Sequence, residues 1–536
     1  ALHYVFNSPK DAIVFDVSHQ CYAHKVLTGR KNGFLDPEQF DAISGYTNPH
    51  ESEHDRFTIG HTSTAVSLAC GLMKARDLQG EKHNVIAILG DGSLSGGEAF
   101  EGLNNVAELG TNGIIIFNDN QMSIAENHGG VYQNLQVLRE SNGQCPCNFF
   151  KSMGFDYRYV ADGNDVHALV AAFSEIKNID HPAVVHINTV KGKGLPIAEQ
   201  DKETWHCCGI PFDLKTGKSA AQPTENYADL TAEYFLRAMQ QNSKLVAITS
   251  GTPTVFGFTP KRRQQAGSQF VDVGIAEEHA VAMASGIAAG GSRPVWGVFS
   301  TFVQRVYDQL SQDLCINNNP AVILVFAGTL NGFRDITHLG FFDIPVIANI
   351  PNMVYLAPTC QEEYFSMLEW SIRQTAHPVA IRVLANGVIS DKNRQVADNY
   401  DHLNQYTITH PGSEIAILAL GSFYQLGETV TALLHEKTGI DVTLINPRFI
   451  TGLDTRLLED LKQRHRLVVT LEDGVLDGGF GEKIARYYGT SDMKVLNCGA
   501  PKAFVDRYDP ETFFEQCRLT PPQIVEDIQR ILGAVA

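Results

Sequence analysis

The strongest constraint on the fold is a set of short apolar runs, rich in β-branched residues, that recurs along the whole chain. Residues 85–89 (Val-Ile-Ala-Ile-Leu), 114–117 (Ile-Ile-Ile-Phe) and 183–187 (Ala-Val-Val-His-Ile) are almost free of polar side chains. A strand with one wet face alternates apolar and polar residues, so an unalternating run predicts a strand buried on both faces, as in a parallel sheet covered by helices. Similar runs stand at 245–249, 295–299, 321–326 and 379–383, and again at 415–420, 441–445 and 467–470. Helical stretches lie between them, including a small-residue segment over 278–289. Strands alternating with helices predict an α/β fold built on mostly parallel sheets. A chain of 536 residues is too long for one hydrophobic core. A Pro, Gly, Lys, Ser and Thr-rich stretch near 210–226 and a polar stretch near 391–405 separate three consecutive α/β blocks, at 1–212, 226–395 and 408–536.

The formal charge of −18 argues against nucleic acid or an anionic membrane as a partner, while leaving room for a small anionic substrate in a locally cationic pocket. The longest small-apolar stretch, around 280–289, is far short of a membrane span. No basic-then-apolar signal opens the chain, and Ala1-Leu-His-Tyr-Val-Phe6 reads as the interior of a helix, which implies residues upstream. The ten cysteines are scattered; Cys145-Pro-Cys147 and Cys207-Cys208 lack the repeated spacing of a zinc site. Reduced thiols and a cytoplasmic location are expected.

The most informative segment is Ile88-Leu-Gly90-Asp91-Gly92-Ser93, followed by Asn118-Asp-Asn120-Gln-Met122. In both, a buried strand runs out into a polar loop. Glycines let the backbone approach a bulky anion, and a helix opening near Gly97 adds oriented N–H donors for phosphate. The Asp91 carboxylate, the Asn120 amide oxygen and the Met122 carbonyl offer three oxygens to a hard cation, a donor set that suits Mg2+ when diphosphate and water complete its octahedron. Gly-Asp-Gly alone is usually a plain turn. Paired with Asn-x-Met after a second buried strand, it is far more specific.

This pairing resembles the thiamine-diphosphate motif of the transketolase superfamily, and the wording is similar to the 1-deoxy-D-xylulose-5-phosphate synthase family over nearly the whole chain. The similar words are Asp16-Val-Ser-His19-Gln, Gly60-His61-Thr-Ser63-Thr64, Asn118-Asp-Asn-Gln-Met-Ser-Ile-Ala125, Thr189-Val-Lys-Gly-Lys-Gly194 and His206 beyond it. The resemblance implies a transketolase-like fold of diphosphate-binding, pyrimidine-binding and C-terminal domains, with thiamine diphosphate and Mg2+ as cofactors. It implies His61, Ser63, Gly90, Gly92 and Ser93 at the diphosphate, and His19 and His206 near the reacting carbons. In Asp272-Val-Gly-Ile-Ala-Glu277-Glu-His279, Glu277 matches the glutamate that hydrogen-bonds the aminopyrimidine and moves its proton. That role favours a buried carboxyl of raised pKa. Phe302, in Ser300-Thr-Phe302-Val-Gln-Arg305, matches the aromatic that stacks on the pyrimidine.

The reaction implied is decarboxylation of pyruvate and transfer of the two-carbon unit to an aldehyde such as D-glyceraldehyde 3-phosphate, a step of isoprenoid biosynthesis. His338, in Thr337-His338-Leu-Gly340, is retained from the family's turn, which implies a group able to polarise a hydroxyl or carbonyl. Ala327 and Ala385 stand where the family carries phosphate-binding arginines, with Arg334 and Arg382 as nearby candidates to replace them. Leu471-Glu-Asp-Gly474 and Gly478-Gly-Phe-Gly481 resemble the C-terminal domain and receive no catalytic role. A homodimer is the family expectation. Ketol transfer between sugars and a non-catalytic paralogue are the alternative readings.

Overall fold

The computed structural model describes residues 1–207, 212–213, 215–218, 224–385, 387–392, 394 and 396–533. Cys208, part of the 210–226 stretch, and the expected block ends at 395 and 536 lie outside them. The chain divides into two compact units. The first holds Ala1–Pro223 with the short stretches Ser250–Thr252 and Asp272–Ala276; the second holds Thr224–Thr249, Pro253–Val271 and Glu277–Ala536.

The first unit is built on β1 (Ala12–Phe15), β2 (Val85–Gly90), β3 (Gly113–Asp119), β4 (Asp156–Val160) and β5 (Pro182–Asn188). Their order is β1-β2-β3-β5-β4, and every neighbouring pair is parallel. Successive residues of these strands feed two different cores. Val85, Ala87, Leu89, Ile115, Phe117 and Val184 enter one; Ile86, Ile88, Ile114, Ile116, Ala183 and Val185 enter the other. Side chains in a strand alternate between faces, so burying both faces is what removes polar residues from the run. The helix Ala65–Leu78 covers the first face through Ala65, Val66, Ala69 and Met73, and Val166–Ile176 covers the second through Phe173 and Ile176. The helix Gly97–Leu109 ends at Gly110, whose φ of 63° is the left-handed turn glycine adopts without strain.

The second unit carries two sheets. One is formed by β6 (Leu245–Thr249), β7 (Phe270–Asp272), β8 (Arg293–Phe299), β9 (Val322–Phe326), β10 (Val354–Leu356) and β11 (Val379–Arg382), in the order β10-β11-β9-β8-β6-β7. The other is formed by β12 (Thr407–His410), β13 (Glu414–Ala419), β14 (Thr443–Asn446), β15 (His465–Val475) and β16 (Lys494–Ala500), in the order β12-β14-β13-β15-β16. Among the described residues of this last sheet, only β12, at its edge, pairs antiparallel with its neighbour. The core under this sheet joins Ile415, Ile417, Leu444, Val469 and Ile528 with three residues from far earlier in the chain, Leu330, Leu339 and Phe341.

Every predicted run became a strand, and the small-residue helix spans Glu277–Ala289. Strands β1, β4, β7, β10, β12 and β16 were not foreseen. Several are only three or four residues long, and Asp-Tyr-Arg-Tyr-Val of β4 carries two charged side chains.

Candidate functional site

In the first unit the functional loops leave the ends of β1, β2, β3 and β5. Asp91 follows β2 and is buried; its amide donates to the Asn118 carbonyl at 3.0 Å, and Tyr132 Oη donates to the Asp91 carbonyl at 3.0 Å. Asn127 Nδ2 donates to Asp91 Oδ2 at 2.7 Å. Burial, then the neighbouring Asp119 charge, push the Asp91 carboxyl up to about 7. Asp119 has its own partners, the Arg139 guanidinium at 2.5 Å and a His186 ring nitrogen at 3.0 Å, and is thereby fixed behind the loop. A divalent ion would supply the positive charge that Asp91 lacks. Asn120 lies against Asp91, whose carboxylate its backbone N–H stabilises, and Asn120 Oδ1 accepts the Met122 amide at 3.1 Å. The second lone pair of that oxygen is left for a cation.

The two glycines of the motif behave differently. A side chain on Gly92 would meet Ser123 Cβ at 2.6 Å and its Cα at 2.9 Å, so Gly92 is demanded by the protein's own loop rather than by an anion. A side chain on Gly90 would meet nothing within 4 Å; there the backbone borders open space, which a phosphate group fits. Ser93 is buried, and its carbonyl accepts Ser63 Oγ at 2.8 Å. Ser63, at φ 73°, is held by Asp16, whose carboxylate takes the amides of Ser63 at 2.8 Å and Ala65 at 3.0 Å. His61 is partly exposed on the same approach to the helix Ala65–Leu78.

His19 and His206 come together, with ring centroids 5.5 Å apart. His19 follows a turn in which Val17 (φ 58°) and Ser18 (φ 67°) are both left-handed, a costly arrangement for a β-branched residue. Ser18 Oγ bridges the turn, donating to the Ile59 carbonyl at 2.6 Å and accepting the Thr47 amide at 2.9 Å. Enclosure by protein first, and the Lys191 charge second, lower the pKa of both rings, His206 to about 3. Burial lowers Lys191 itself to about 8, with Asp91 among the groups opposing that shift. Lys191, Asn127, Tyr132 and Asp16 were not singled out from sequence. Asp16 and Lys191 stood inside quoted words, whereas Asn127 and Tyr132 carried no signal.

In the second unit Glu277 opens the helix Glu277–Ala289, is only 2% exposed, and leaves Oε2 buried without a hydrogen-bond partner among the described residues. The turn Gln304–Val306 packs on that helix and sets the Arg305 guanidinium 3.6 Å from this oxygen, as an ion pair. Burial raises the carboxyl to about 7 against the pull of Arg305. An orphaned, easily protonated oxygen of this kind fits a ring nitrogen that needs a proton partner. Phe302 and His338 come together edge to face at 5.9 Å. Thr337 Oγ1 and His338 Nδ1 lie 2.8 Å apart.

Arg382 does not serve as a replacement phosphate ligand. It is buried and spends its guanidinium on Asp343, through bonds of 2.8 and 3.0 Å, and on the Asp473 carbonyl at 2.6 Å. Arg334 is exposed. The Gly478–Gly481 cluster is no nucleotide loop either. The Glu472 carboxylate already occupies the start of the helix Phe480–Tyr488, accepting the amides of Phe480 at 2.7 Å and Gly481 at 2.9 Å.

Residues 225–385 match the transketolase pyrimidine-binding domain and residues 404–524 the transketolase C-terminal domain, so the chain is a thiamine-diphosphate-dependent transferase of the transketolase class. Residues 1–144 and 139–189 match the family described as 1-deoxy-D-xylulose-5-phosphate synthase. The 1-deoxy-D-xylulose-5-phosphate synthase of Clostridium beijerinckii is 36% identical, covering 99% of this chain and 91% of that protein. That of Alkaliphilus oremlandii is 35% identical, covering 99% and 90%. Among solved structures, a transketolase from Leishmania mexicana is 15% identical, with 96% of this chain and 88% of that one covered and a TM-score of 0.47. The chain belongs to the 1-deoxy-D-xylulose-5-phosphate synthase family. Among the described residues no helix is long and apolar enough to cross a membrane.

Proposed function

We propose that this chain, with thiamine diphosphate and Mg2+, decarboxylates pyruvate and joins the two-carbon unit to an aldehyde such as D-glyceraldehyde 3-phosphate. The observation that carries the reading is Glu277, a buried carboxyl of raised pKa with an unpartnered oxygen in the segment matching the pyrimidine-binding domain. When bound, thiamine diphosphate supplies a carbon acid and an electron sink for the carbon that loses CO2. Glu277 holds or releases a proton at Oε2, and Arg305 keeps that proton exchangeable near neutrality. Asp91, Asn120 and the Met122 carbonyl would hold Mg2+; Gly90, Ser93, Ser63 and His61 border the diphosphate, while Gly92 lets the loop pack on Ser123. Phe302 flanks the pyrimidine. His19 and His206, kept neutral, orient the reacting carbons and trade single protons. His338 polarises the aldehyde oxygen. The three sheets serve as diphosphate, pyrimidine and C-terminal domains of a cytoplasmic homodimer.

The test combines calorimetry with a CO2 assay. Thiamine diphosphate should bind tightly only with Mg2+, and Asp91→Ala should abolish that Mg2+ dependence. Pyruvate should release CO2 in the presence of D-glyceraldehyde 3-phosphate. Sugar ketol transfer without CO2 release, or Mg2+-dependent binding retained in Asp91→Ala, would overturn the reading.

A further inference from the structure

The loop that carries His338 touches the end of β8 and the turn after it, where Ser300 Oγ donates to the Gly340 carbonyl and Phe302 meets His338, but its apolar anchors are built into the third sheet. It leaves β9 at Ala327 (φ 57°), and its apolar residues Leu330, Leu339 and Phe341 are buried in the core formed by β13, β14 and β15. Polar bonds from the same part of the chain pin it at three further points. Asp473 Oδ1 accepts the Leu330 amide at 2.7 Å, with Ser422 Oγ on its other oxygen at 2.6 Å. Tyr508 Oη donates to the Leu330 carbonyl at 2.6 Å. Asp506 Oδ1 accepts the Ile336 amide at 3.2 Å, and the Arg507 amide donates to the Arg334 carbonyl at 2.7 Å. Within the loop, Asp335 accepts the Thr337 amide at 2.8 Å and its carbonyl accepts the His338 amide at 3.0 Å. Residues 506–508 therefore grip the loop two residues before His338 and again at Leu330, while Leu339, the next residue along, is anchored in the core.

We propose that Asp506 and Tyr508, from the C-terminal region, are positioning residues that set the acceptor-side imidazole of His338. This rests on the acceptor-side reading of His338 given above. Neither residue touches a reacting atom; each acts through the backbone of the loop. A C-terminal region acting only as packing would need neither hydrogen bonds to isolated loop amides nor a largely enclosed carboxylate, 21% exposed and paired with Arg507 through its other oxygen, aimed at Ile336. Loss of one such bond displaces the ring without removing it, so the cost falls on aldehyde binding rather than on donor chemistry.

The experiment separates the two half-reactions in the Mg2+ and thiamine-diphosphate holoenzyme. Donor turnover is read as CO2 release from pyruvate with ferricyanide as electron acceptor; acceptor binding is read as the KM for D-glyceraldehyde 3-phosphate. Asp506→Ala and Tyr508→Phe should each raise the aldehyde KM by about fivefold, the equivalent of one ordinary hydrogen bond, with donor turnover unchanged. Asp506→Asn should restore the KM, because its amide oxygen still accepts the Ile336 N–H. His338→Ala run alongside tests the underlying reading by itself. If it raises the aldehyde KM while Asp506→Ala and Tyr508→Phe do not, the positioning role is wrong and the His338 assignment stands. If His338→Ala has no effect on that KM, the assignment falls and takes the inference with it. Equal losses in donor turnover and aldehyde use in Asp506→Ala would mark a general structural role and overturn the proposal.

Discussion

Glu277 and Glu472 are both buried glutamates whose pKa values burial pushes up to about 7, yet they sit in opposite circumstances. Glu472 is satisfied from within: two amides at the start of the helix Phe480–Tyr488 meet its two oxygens. Glu277 has one oxygen, Oε2, with no hydrogen-bond partner among the described residues, and Arg305 stands 3.6 Å from it as an ion pair. The difference teaches how to read a perturbed carboxyl. The shift alone does not separate a cap from a working acid; the count of unfilled acceptor sites does. Gly90 and Gly92 repeat the contrast in steric terms, one bordering open space and the other pressed against Ser123.

The largest expected effect is at Glu277. Glu277→Gln keeps the shape and loses the exchangeable proton, so kcat for pyruvate decarboxylation should fall by about a hundredfold or more. Its melting temperature should hold or rise, since no charge is then buried there. A full-rate Glu277→Gln enzyme would erase the distinction drawn between the two glutamates.

At Glu472 the loss should appear in stability. Glu472→Ala leaves the amides of Phe480 and Gly481 buried and unpaired, at a cost of about 2–3 kcal/mol in chemical denaturation, with turnover per folded molecule unchanged. Its pH dependence has a definite sign. The unfolded chain ionises this group from about 4.5, while the folded protein keeps it protonated to about 7. The unfolded state therefore binds fewer protons between those values, and stability falls as pH rises through that window. Glu472→Gln should flatten this part of the stability profile; a slope equal to that of the unsubstituted protein would refute the assignment.

The smallest effects sharpen the contrast at the glycines. Gly92→Ala should destabilise the protein by about 1–3 kcal/mol, because the new methyl overlaps Ser123. Gly90→Ala should change stability by less than about 0.5 kcal/mol, as at an ordinary unobstructed position, while weakening thiamine diphosphate in calorimetry. Equal melting temperatures for the two variants would show that the loop around Ser123 yields.

The parallel sheets were legible in the sequence because double-sided burial leaves an unmistakable absence of polar residues over 85–89, 114–117 and 183–187. Asp91 and Asn120 were legible for a related reason: each follows such a run directly, so the strand ends place them. Glu277, Phe302 and His338 were found through resemblance, and no periodicity would have singled them out. What stayed hidden depends on partners distant in the chain. Arg382 reads as a spare cation until Asp343 and the Asp473 carbonyl are seen to consume it. Gly92 reads as an anion-facing glycine until Ser123 is seen against it. Strand β12, Thr-Ile-Thr-His at the sheet edge with a register shift after Ile408, carries so little apolar signal that local composition could not announce it.

The shared core beneath the third sheet has a consequence for biosynthesis. Leu330, Leu339 and Phe341 are translated well before the strands and helices that enclose them, the last of which includes Ile528. On the ribosome the first two sheets emerge before the third, so this loop lacks its apolar bed until β13, β14, β15 and the segment carrying Ile528 have followed. Under the proposed function, competence to finish the reaction would arrive last, and a prematurely terminated product would keep the segments proposed to hold cofactor without the bed of the loop that carries His338.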